Sequence, residues 1–273
     1  MTRKFTKIIL LFFTASFFAG CLEVNTTIHL NTDGSGKIEE SVLMSSQVVQ
    51  MLSAFAGSFD STATDTNKFS LFKEDELIAD TAKYGAGIKY ISGKELKADG
   101  KEGYTALYSF TDINNLKINQ NPNSKIDMEG IKFEEDSTNE SLQFKFIKGE
   151  PSFLTIKTAL NKNKKDSDQV EAVQDTLSSD FQGVDEFLKL MKDMHIALKL
   201  DISGNITETN ASYVDGNEIT LFDINFNDLF SDPEKLKIFK KQNPQNIEEI
   251  KELMKNIPGV KVELNNEVTV RFE

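Results

Sequence analysis

The sequence predicts an α+β domain in which a largely antiparallel, curved sheet is packed with a few amphipathic helices. Three observations indicate this class. Short stretches with an apolar residue at every second position recur along the chain, as expected of half-buried strands. Asp-Gly and Asn-rich turns separate many of these stretches, which is typical of antiparallel hairpins. A few longer stretches instead repeat apolar residues every three or four positions, the period of an amphipathic helix.

The first predicted element pair is a hairpin. Residues 22–30 alternate apolar and polar side chains, and residues 37–43 return as a second strand. Between them, Asp33-Gly34-Ser35-Gly36 supplies the positive φ angles that a tight turn needs. This segment has some likeness to a calcium loop, but it lacks the alternating ligands and the distal Glu of that motif. A turn is therefore the prediction here, and a metal site is not.

Two helices and several strands are predicted next. Ser45 or Ser46 caps a helix over 46–56, and a polar loop over 57–70 separates it from a helix over 73–84. In the second helix Leu77, Ile78 and Ala82 lie along one face. Strands follow near 87–97, 103–111, 129–135, 140–148 and 152–159, with Asp99-Gly100 turning the chain between the first two.

The second half of the chain contains the strongest helical period. A helix over 174–194 carries an apolar stripe that His195 closes. Three strands over 196–202, 206–213 and 218–226 predict a meander, with Asp215-Gly216 as one of its turns. Helices over 232–241 and 246–257 follow. A hairpin of 260–264 and 268–272 ends the predicted elements.

The charged segment 161–168 predicts a possible subdivision of the chain. The alternative is a single domain in which both sides share one curved sheet. The length of 273 residues is compatible with either organisation.

Composition excludes two classes of partner. The formal net charge of −12 argues against a surface that binds nucleic-acid phosphates, and against unaided docking on anionic lipid headgroups. After the first 20 residues, no apolar run approaches the roughly 20 residues needed to span a bilayer.

The amino-terminal segment has the three parts of a secretion signal. Residues 1–7 are basic, residues 8–19 are almost wholly apolar, and small residues precede Cys21. Phe18-Ala19-Gly20-Cys21 resembles the lipobox of bacterial lipoproteins, although Phe18 stands where Leu is usual. The resemblance implies removal of residues 1–20 and acylation of Cys21, which leaves a mature domain of residues 21–273 with a formal charge of −15, because three basic residues and no acidic ones are lost. Alternatively, Cys21 is a free thiol or a small buried hydrophobe.

This resemblance also predicts a location. Acyl chains on Cys21 would anchor the protein to a membrane of the cell envelope. Leu22, rather than Asp, follows the cysteine, which favours the periplasmic face of the outer membrane if the host has two membranes.

The sequence carries no catalytic motif, so we expect no enzyme and name no catalytic residue, cofactor or metal ligand. His29 is predicted to point to solvent and His195 to be a satisfied core or boundary histidine, neither with an evident carboxylate partner at fixed spacing. Tyr84-Gly85-Ala86-Gly87 is predicted to be a helix end followed by a turn.

Apolar residues give the remaining functional hint. The stripes of the predicted helices over 46–56 and 174–194 could contact a lipid or another hydrophobic ligand. The candidate contacts are Leu52, Phe55, Phe181, Leu188 and Met191. The alternative is that both stripes simply pack on the sheet.

Two patches resemble LppM-type bacterial lipoproteins. One is the lipobox followed directly by a strand, Asp33-Gly34-Ser35-Gly36, a strand and a helix, and the other is the run 204–220. The resemblance implies an α+β envelope domain with lipid or surface-interaction roles and no catalytic residues. The middle region, 57–170, departs from that family's pattern.

These observations together predict a membrane-anchored envelope lipoprotein that acts as a non-catalytic binding or interaction module. The alternatives are a structural subunit of an envelope protein complex, recognised through exposed sheet edges or the 57–70 loop, and a hydrolase without a recognisable motif.

Overall fold

The computed structural model describes residues 22–50, 53, 70–119, 141–157, 194–230, 257 and 259–273, and the fold is reported for these. They contain thirteen strands: β1 (Leu22–Leu30), β2 (Gly36–Ser45), β3 (Lys89–Ala98), β4 (Lys101–Phe110), β5 (Lys117–Asn119), β6 (Ser141–Ile147), β7 (Ser152–Lys157), β8 (Met194–Ile202), β9 (Ile206–Thr209), β10 (Val214–Asp215), β11 (Glu218–Asn225), β12 (Val260–Val262) and β13 (Glu267–Phe272). The helices are α1 (Glu74–Ala79) and α2 (Phe226–Phe230), with 3₁₀ turns η1 (Asp80–Ala82) and η2 (Ile113–Asn115). Residues 46–50 and 53 are also helical.

The strands form two sheets. The large sheet has eight strands in the order β10-β11-β8-β1-β2-β4-β3, with β12 paired to β11. Its pairs are antiparallel except β1 and β8, which run parallel in register from Leu22 opposite Met194 to Leu30 opposite Ile202. The small sheet has the order β5-β6-β7-β13-β9 and is antiparallel throughout. The fold is therefore mostly strand, with one mixed sheet and few helices.

One hydrophobic cluster joins the two sheets. Strand β1 buries every second residue, from Leu22 to Leu30, as its sequence alternation predicts. The same cluster takes buried residues from the small sheet: Leu142, Phe144, Leu154, Ile156, Val268, Val270 and Phe272. Each sheet thus buries one face in a shared core, which is the usual way for two sheets to exclude water.

The predicted hairpins in the first half of the chain are confirmed. β1 pairs with β2 through the turn at 31–35, where the Asn31 amide donates to the Ser35 carbonyl oxygen at 2.8 Å. β3 pairs with β4 through Asp99 and Gly100, which both have positive φ angles of 53° and 75°. The later turn at Asp215-Gly216 also forms, between β10 and β11.

The predicted meander over 196–226 is wrong. β8 pairs with β11 and β1, whereas β9 leaves the large sheet and pairs with β13. After Ser203 the chain crosses between sheets, and the Asn205 amide donates to the Glu273 carbonyl oxygen at 2.7 Å. Alternation specifies that a stretch has one buried face, but it does not specify which sheet that face belongs to.

The predicted closing hairpin is also wrong. β12 pairs with β11 in the large sheet, while β13 lies between β7 and β9 in the small sheet. The connection that carries Asn265 and Asn266 therefore bridges the two sheets rather than turning within one. Two packed sheets replace the single curved sheet of the prediction.

The helix predicted over 73–84 forms only in part, as α1 followed by η1. Leu77 is buried as predicted, whereas Ile78 is 47% exposed and Ala82 is exposed. The change to a tighter 3₁₀ turn ends the helical period after Ala79, so later positions no longer share the face of Leu77. Tyr84 takes the next buried position.

Several predictions lie outside the described residues. They are residues 51, 52 and 54–56 of the helix over 46–56, whose other residues are helical as predicted, nearly all of the loop over 57–70, the strand near 129–135, the segment 161–168, all but the last residue of the helix over 174–194 and nearly all of the helices over 232–241 and 246–257. Met194 and His195, placed at the end of a predicted helix, belong instead to strand β8. In the described part of the chain, no helix has the length and apolarity needed to cross a bilayer.

Candidate functional site

Glu40 is a carboxylate in the apolar interior. It occupies an inward position of β2, between Ile38 and Val42, and only 1% of it is exposed. Its cross-strand neighbours are Thr26 on β1 and Ala106 on β4. Both neighbours are small, which leaves room above them for the carboxylate and for the side chains that contact it.

Two tyrosines bind this carboxylate. The Tyr84 hydroxyl donates to Oε2 of Glu40 at 2.5 Å, and the Tyr104 hydroxyl donates to Oε1 at 2.8 Å. Each carboxylate oxygen therefore accepts at least one phenolic hydrogen bond. A buried carboxylate requires such donors, because desolvation without hydrogen bonds would cost several kcal/mol.

Tyr108 completes the group that we call the Glu40 cluster: Glu40, Tyr84, Tyr104 and Tyr108. Its ring lies 5.0 Å from that of Tyr84 and 5.9 Å from that of Tyr90, between ring centroids. The Tyr108 hydroxyl is fully buried and has no hydrogen-bond partner among the described residues. Tyr90, at the edge, donates to Glu74 on α1 at 2.9 Å. Four of the five tyrosines of the chain thus meet at this place.

The Glu40 cluster fixes a surface segment to the large sheet. Tyr84 follows η1, and its carbonyl oxygen accepts a hydrogen bond from the Lys117 amide at 2.8 Å. Gly85 forms an isolated bridge with Leu116, and Leu77 of α1 is buried in the core. The segment from α1 to Gly85 is therefore held both by apolar packing and by the hydrogen bond from Tyr84 to Glu40.

The electrostatics of the cluster keep its phenols protonated. Burial raises the pKa of Tyr84, Tyr104 and Tyr108 above the ordinary tyrosine value, and the nearby Glu40 carboxylate raises these pKa values further. At neutral pH all three phenols are protonated, and those of Tyr84 and Tyr104 donate to Glu40. The arrangement is therefore suited to stabilising a buried carboxylate by hydrogen bonds within a packed core.

Glu263 is a second buried carboxylate, and it serves a connection between elements. It accepts hydrogen bonds from the Ser212 amide at 2.6 Å, the Ser212 hydroxyl at 3.0 Å and the Asn265 amide at 2.9 Å. These bonds join the stretch after β12 to the stretch between β9 and β10. Both oxygens of this carboxylate accept hydrogen bonds, and these bonds fix the backbone at Ser212 and Asn265.

Both histidines have carboxylate partners, which no fixed spacing in the sequence made evident. Nδ1 of His29 lies 2.9 Å from Asp201 on β8, and its Nε2 lies 3.5 Å from Glu39 on β2. Nε2 of His195 lies 2.8 Å from Asp223 on β11. Sequence spacing did not reveal these pairs because each joins residues of different strands. Both histidines lie on the polar face of the large sheet, part-exposed.

The turn at Asp33 is built as a turn and not as a cation loop. Oδ1 of Asp33 accepts hydrogen bonds from the Ser35 hydroxyl at 2.6 Å and the Ser35 amide at 2.9 Å. These bonds lower the pKa of the Asp33 carboxyl. Within the described residues, no group of three or more His, Cys, Asp or Glu side chains is arranged to hold a metal ion.

The predicted lipidation and ligand residues lie outside the described residues. These are Phe18, Ala19, Gly20 and Cys21 at the amino terminus, and Leu52, Phe55, Phe181, Leu188 and Met191 on the predicted helices. The described chain nevertheless begins at Leu22, directly after Cys21, and Leu22 is the first residue of β1. Because β1 pairs with β2 on one side and β8 on the other along its whole length, the residue after the cysteine is fixed within a sheet.

Sequence reasoning missed the Glu40 cluster, although a signal was present. Glu40 shares the inward phase of Ile38 and Val42 in an alternating strand, and Tyr104 and Tyr108 share an inward phase in β4. A charged residue in the apolar phase requires polar partners on neighbouring strands. Phenols in the same phase of a paired strand are such partners.

Comparisons with known proteins find a weak structural similarity. No protein-family model matches the chain, and no curated protein matches its sequence. Among solved structures, the chain is similar to the folded domain of the LppM protein of Mycobacterium tuberculosis, determined by NMR. The TM-score is 0.35 at 12% sequence identity, over 93% of this chain and 91% of that one.

Proposed function

We propose that this chain is a cell-envelope lipoprotein, anchored through acyl chains on Cys21, whose β-rich domain acts as a non-catalytic binding or interaction module. The observation that carries the proposal is the position of Leu22. It follows the lipobox cysteine directly and opens a strand that is central in the large sheet. A chain built in this way leaves no linker between the proposed anchor and the folded domain.

The chemistry of the Glu40 cluster does not favour a catalytic role. Glu40 is hydrogen-bonded to Tyr84 and Tyr104, and the phenols of these two tyrosines remain protonated at neutral pH. A catalytic base or nucleophile needs access to substrate and a pKa near the working pH. Neither condition describes these tyrosines.

We further propose lipid, or another hydrophobic molecule, as the ligand of this module. The contacts would be Leu52, Phe55, Phe181, Leu188 and Met191, all on predicted apolar helix stripes. Native mass spectrometry of the mature protein, extracted in mild detergent, tests this directly. A bound mass in addition to the covalent acyl groups supports the ligand, and acylated protein that never carries one overturns it.

The location that we propose is the periplasmic face of the outer membrane in a host with two membranes. Leu22 occupies the position after the cysteine, where Asp would favour retention in the inner membrane. Separation of the two membranes by density, followed by detection of the protein, measures this part of the proposal independently of the anchor itself.

A structural subunit of an envelope complex is the second candidate. One observation favours it: β3 is a ten-residue edge strand of the large sheet, and its Ile91 is 46% exposed. The same strand has a bulge between Tyr90 and Ser92, and three lysines, Lys89, Lys94 and Lys97. Bulges and lysines discourage the addition of a further strand at an edge. The binding module therefore remains the first proposal.

The anchor is tested with Cys21→Ser. We expect this variant to lose metabolic labelling by palmitate and to move from the membrane fraction to the soluble fraction, because the thioether bond to diacylglycerol cannot form. Asn25→Ser, on the polar face of β1, is the matched control and should remain acylated and membrane-bound. Equal membrane retention of the Cys21→Ser protein would refute the anchor.

A further inference from the structure

We propose that the large sheet faces the membrane with the end at which β1 begins. β1 and its neighbouring strands then extend from this end away from the bilayer. This inference rests on the proposed acylation of Cys21. It adds an orientation and a contact surface, which an anchor alone does not define, because a tethered domain can rotate freely.

The pairing registers identify the elements at this end. Leu22 lies opposite Met44 near the end of β2 and opposite Met194 at the start of β8. Met44 in turn lies opposite Glu102 near the start of β4. The last residue of β11, Asn225, lies opposite His195, so α2 begins at the same end. We call this edge of the molecule the Leu22 end.

The connection between anchor and sheet has no slack. Leu22 is covalently adjacent to Cys21, and consecutive Cα atoms are about 3.8 Å apart. Leu22 is also 8% exposed, and β1 is bonded to a strand on either side. Separation of this residue from the sheet would break ladder hydrogen bonds and expose apolar surface. The acylated cysteine must therefore remain at the rim of the sheet.

The opposite end of β1 lies well beyond the reach of the bilayer. A strand rises about 3.3 Å per residue, so Leu30 lies about 26 Å from Leu22. The turn at 31–35 and the crossing at 203–205 lie at that far end. If the Leu22 end rests on the headgroups, both connections are directed away from the membrane and are accessible to other envelope molecules.

The chemistry of the Leu22 end suits a headgroup surface. Met194 and Phe226 are partly exposed apolar residues that pack on the core from this side. Lys97 and Lys101 lie on the β3–β4 hairpin that ends here, alongside the carboxylates of Asp99 and Glu102. Both lysines are ion-paired, Lys97 with Glu95 at 2.9 Å and Lys101 with Glu23. Among the described residues, apolar side chains flanked by such ion pairs match an interface of zwitterionic lipid, which also carries paired charges of both signs.

The test uses the absence of tryptophan from the chain, because a single introduced tryptophan is then a unique probe. Gln47→Trp places it just after β2, at the Leu22 end, and Lys37→Trp places it near the start of β2, at the level of His29. Both positions are exposed: Lys37 lies on β2, and Gln47 lies in the helical residues 46–50 that directly follow it. Acylated proteins are reconstituted into vesicles of phosphatidylcholine with a minor fraction of phosphatidylglycerol, with brominated lipid as quencher.

We expect brominated lipid to quench Gln47→Trp fluorescence at least twofold more than Lys37→Trp fluorescence. The reason is that residue 37 lies opposite His29, roughly 23 Å along the sheet from Leu22. Equal quenching of the two, or stronger quenching of Lys37→Trp, in protein that floats with the vesicles would overturn the orientation while leaving the anchor intact. Protein that carries no acyl mass and does not float would overturn the proposed anchor, and with it the orientation.

A linker variant provides the matched control. A Gly/Ser linker of about ten residues inserted after Cys21 spans about 18 Å on average. Flotation should persist, and the difference in quenching between the two probes should fall at least by half, because the domain can then rotate. An unchanged difference would show that the direct junction at Leu22 does not set the orientation, and would overturn that part of the inference.

Discussion

Glu40 and Tyr108 are both buried, but of the two only Glu40 has a hydrogen-bonded polar group within the described part of the chain. Both carboxylate oxygens of Glu40 accept phenolic hydrogen bonds, whereas the Tyr108 hydroxyl is buried without a partner in the described residues. A satisfied buried group stabilises a fold modestly, and an unsatisfied one costs about 1–3 kcal/mol. The two tyrosines on β4 should therefore respond differently to the same chemical change.

We expect Tyr108→Phe to leave the free energy of unfolding unchanged or to raise it by about 1 kcal/mol, because the variant removes a hydroxyl without a partner and keeps the ring. Urea unfolding followed by circular dichroism measures the change.

Tyr104→Phe is the matched control on the same strand. It should lower the free energy of unfolding by about 1–3 kcal/mol, because Oε1 of Glu40 then loses a donor. A loss of stability in Tyr108→Phe as large as that in Tyr104→Phe would contradict this assignment.

Alkaline pH should destabilise the protein through the same tyrosines. In the native state the pKa values of Tyr84 and Tyr104 are raised above about 10, the ordinary value that holds in the unfolded chain. Below that pH both states keep their protons, so the contribution is fully present. Above it the unfolded chain releases protons that the native state retains, and stability falls by about 1.4 kcal/mol per pH unit for each tyrosine.

Tyrosinate absorbance checks this expectation, since tryptophan does not interfere. Fewer than five phenols should titrate in the native protein as the pH rises above about 10, and the rest should titrate together with unfolding. Titration of all five phenols before any loss of secondary structure would argue that the cluster is open to solvent.

A site residue could be predicted from the sequence only where its hydrogen-bond partners lie close to it in the chain. Asp33 organises its own turn with Ser35, two residues away, so sequence alone indicated it. Glu40, by contrast, depends on Tyr84 and Tyr104, which lie 44 and 64 residues away in the chain. The pairing of β2 with β4 brings Tyr104 to Glu40, and the packing of the segment after η1 brings Tyr84. Both arrangements must be known before the cluster can be recognised.

At the scale of elements, local sequence patterns predicted where strands lie, but they did not predict which strands pair with one another. The alternation of 22–30 matches β1 residue for residue, because its inward phase is uninterrupted. β13 also alternates, yet it belongs to the small sheet and not to the predicted closing hairpin, and β9 pairs with it there rather than in the predicted meander. β5 was missed because three residues are too few for a period to be visible.

Two glycines of the β3–β4 hairpin allow a matched test of backbone and steric effects. Gly100 has a φ of 75° and open space around an added methyl group, whereas a methyl group on Gly103 would overlap the Val42 carbonyl oxygen on β2. We expect Gly100→Ala to lower the free energy of unfolding by about 1–2 kcal/mol, only because alanine is disfavoured at this positive φ. Gly103→Ala should cost more, above about 3 kcal/mol, because β2 and β4 must move apart.

Thermal unfolding of both variants measures these costs. The reverse order of stabilities would mean that β4 approaches β2 less closely than the register of Leu43 opposite Gly103 implies.

At the scale of the whole molecule, the shared core predicts cooperative unfolding. Residues of both sheets belong to one hydrophobic cluster. Neither sheet can lose its partner without exposing a buried face.

We therefore expect one transition for the β-rich core. Far-ultraviolet circular dichroism reports strand content and near-ultraviolet circular dichroism reports tyrosine packing, and their denaturation curves should coincide. A near-ultraviolet signal that is lost well before the strand signal would indicate that the sheets separate first.

The parallel pairing of β1 with β8 has a consequence for the order of events during synthesis. β1 and β2 are made well before β8, which begins more than 160 residues after β1 ends, and β13, an interior strand of the small sheet, is made later still. Until both arrive, each sheet has an open edge and an incomplete core, and contacts so distant in sequence form slowly. Neither sheet can therefore close early, which suits the export that we propose for this chain, because the proposed attachment of lipid to Cys21 could then precede the pairing of Leu22 with β8.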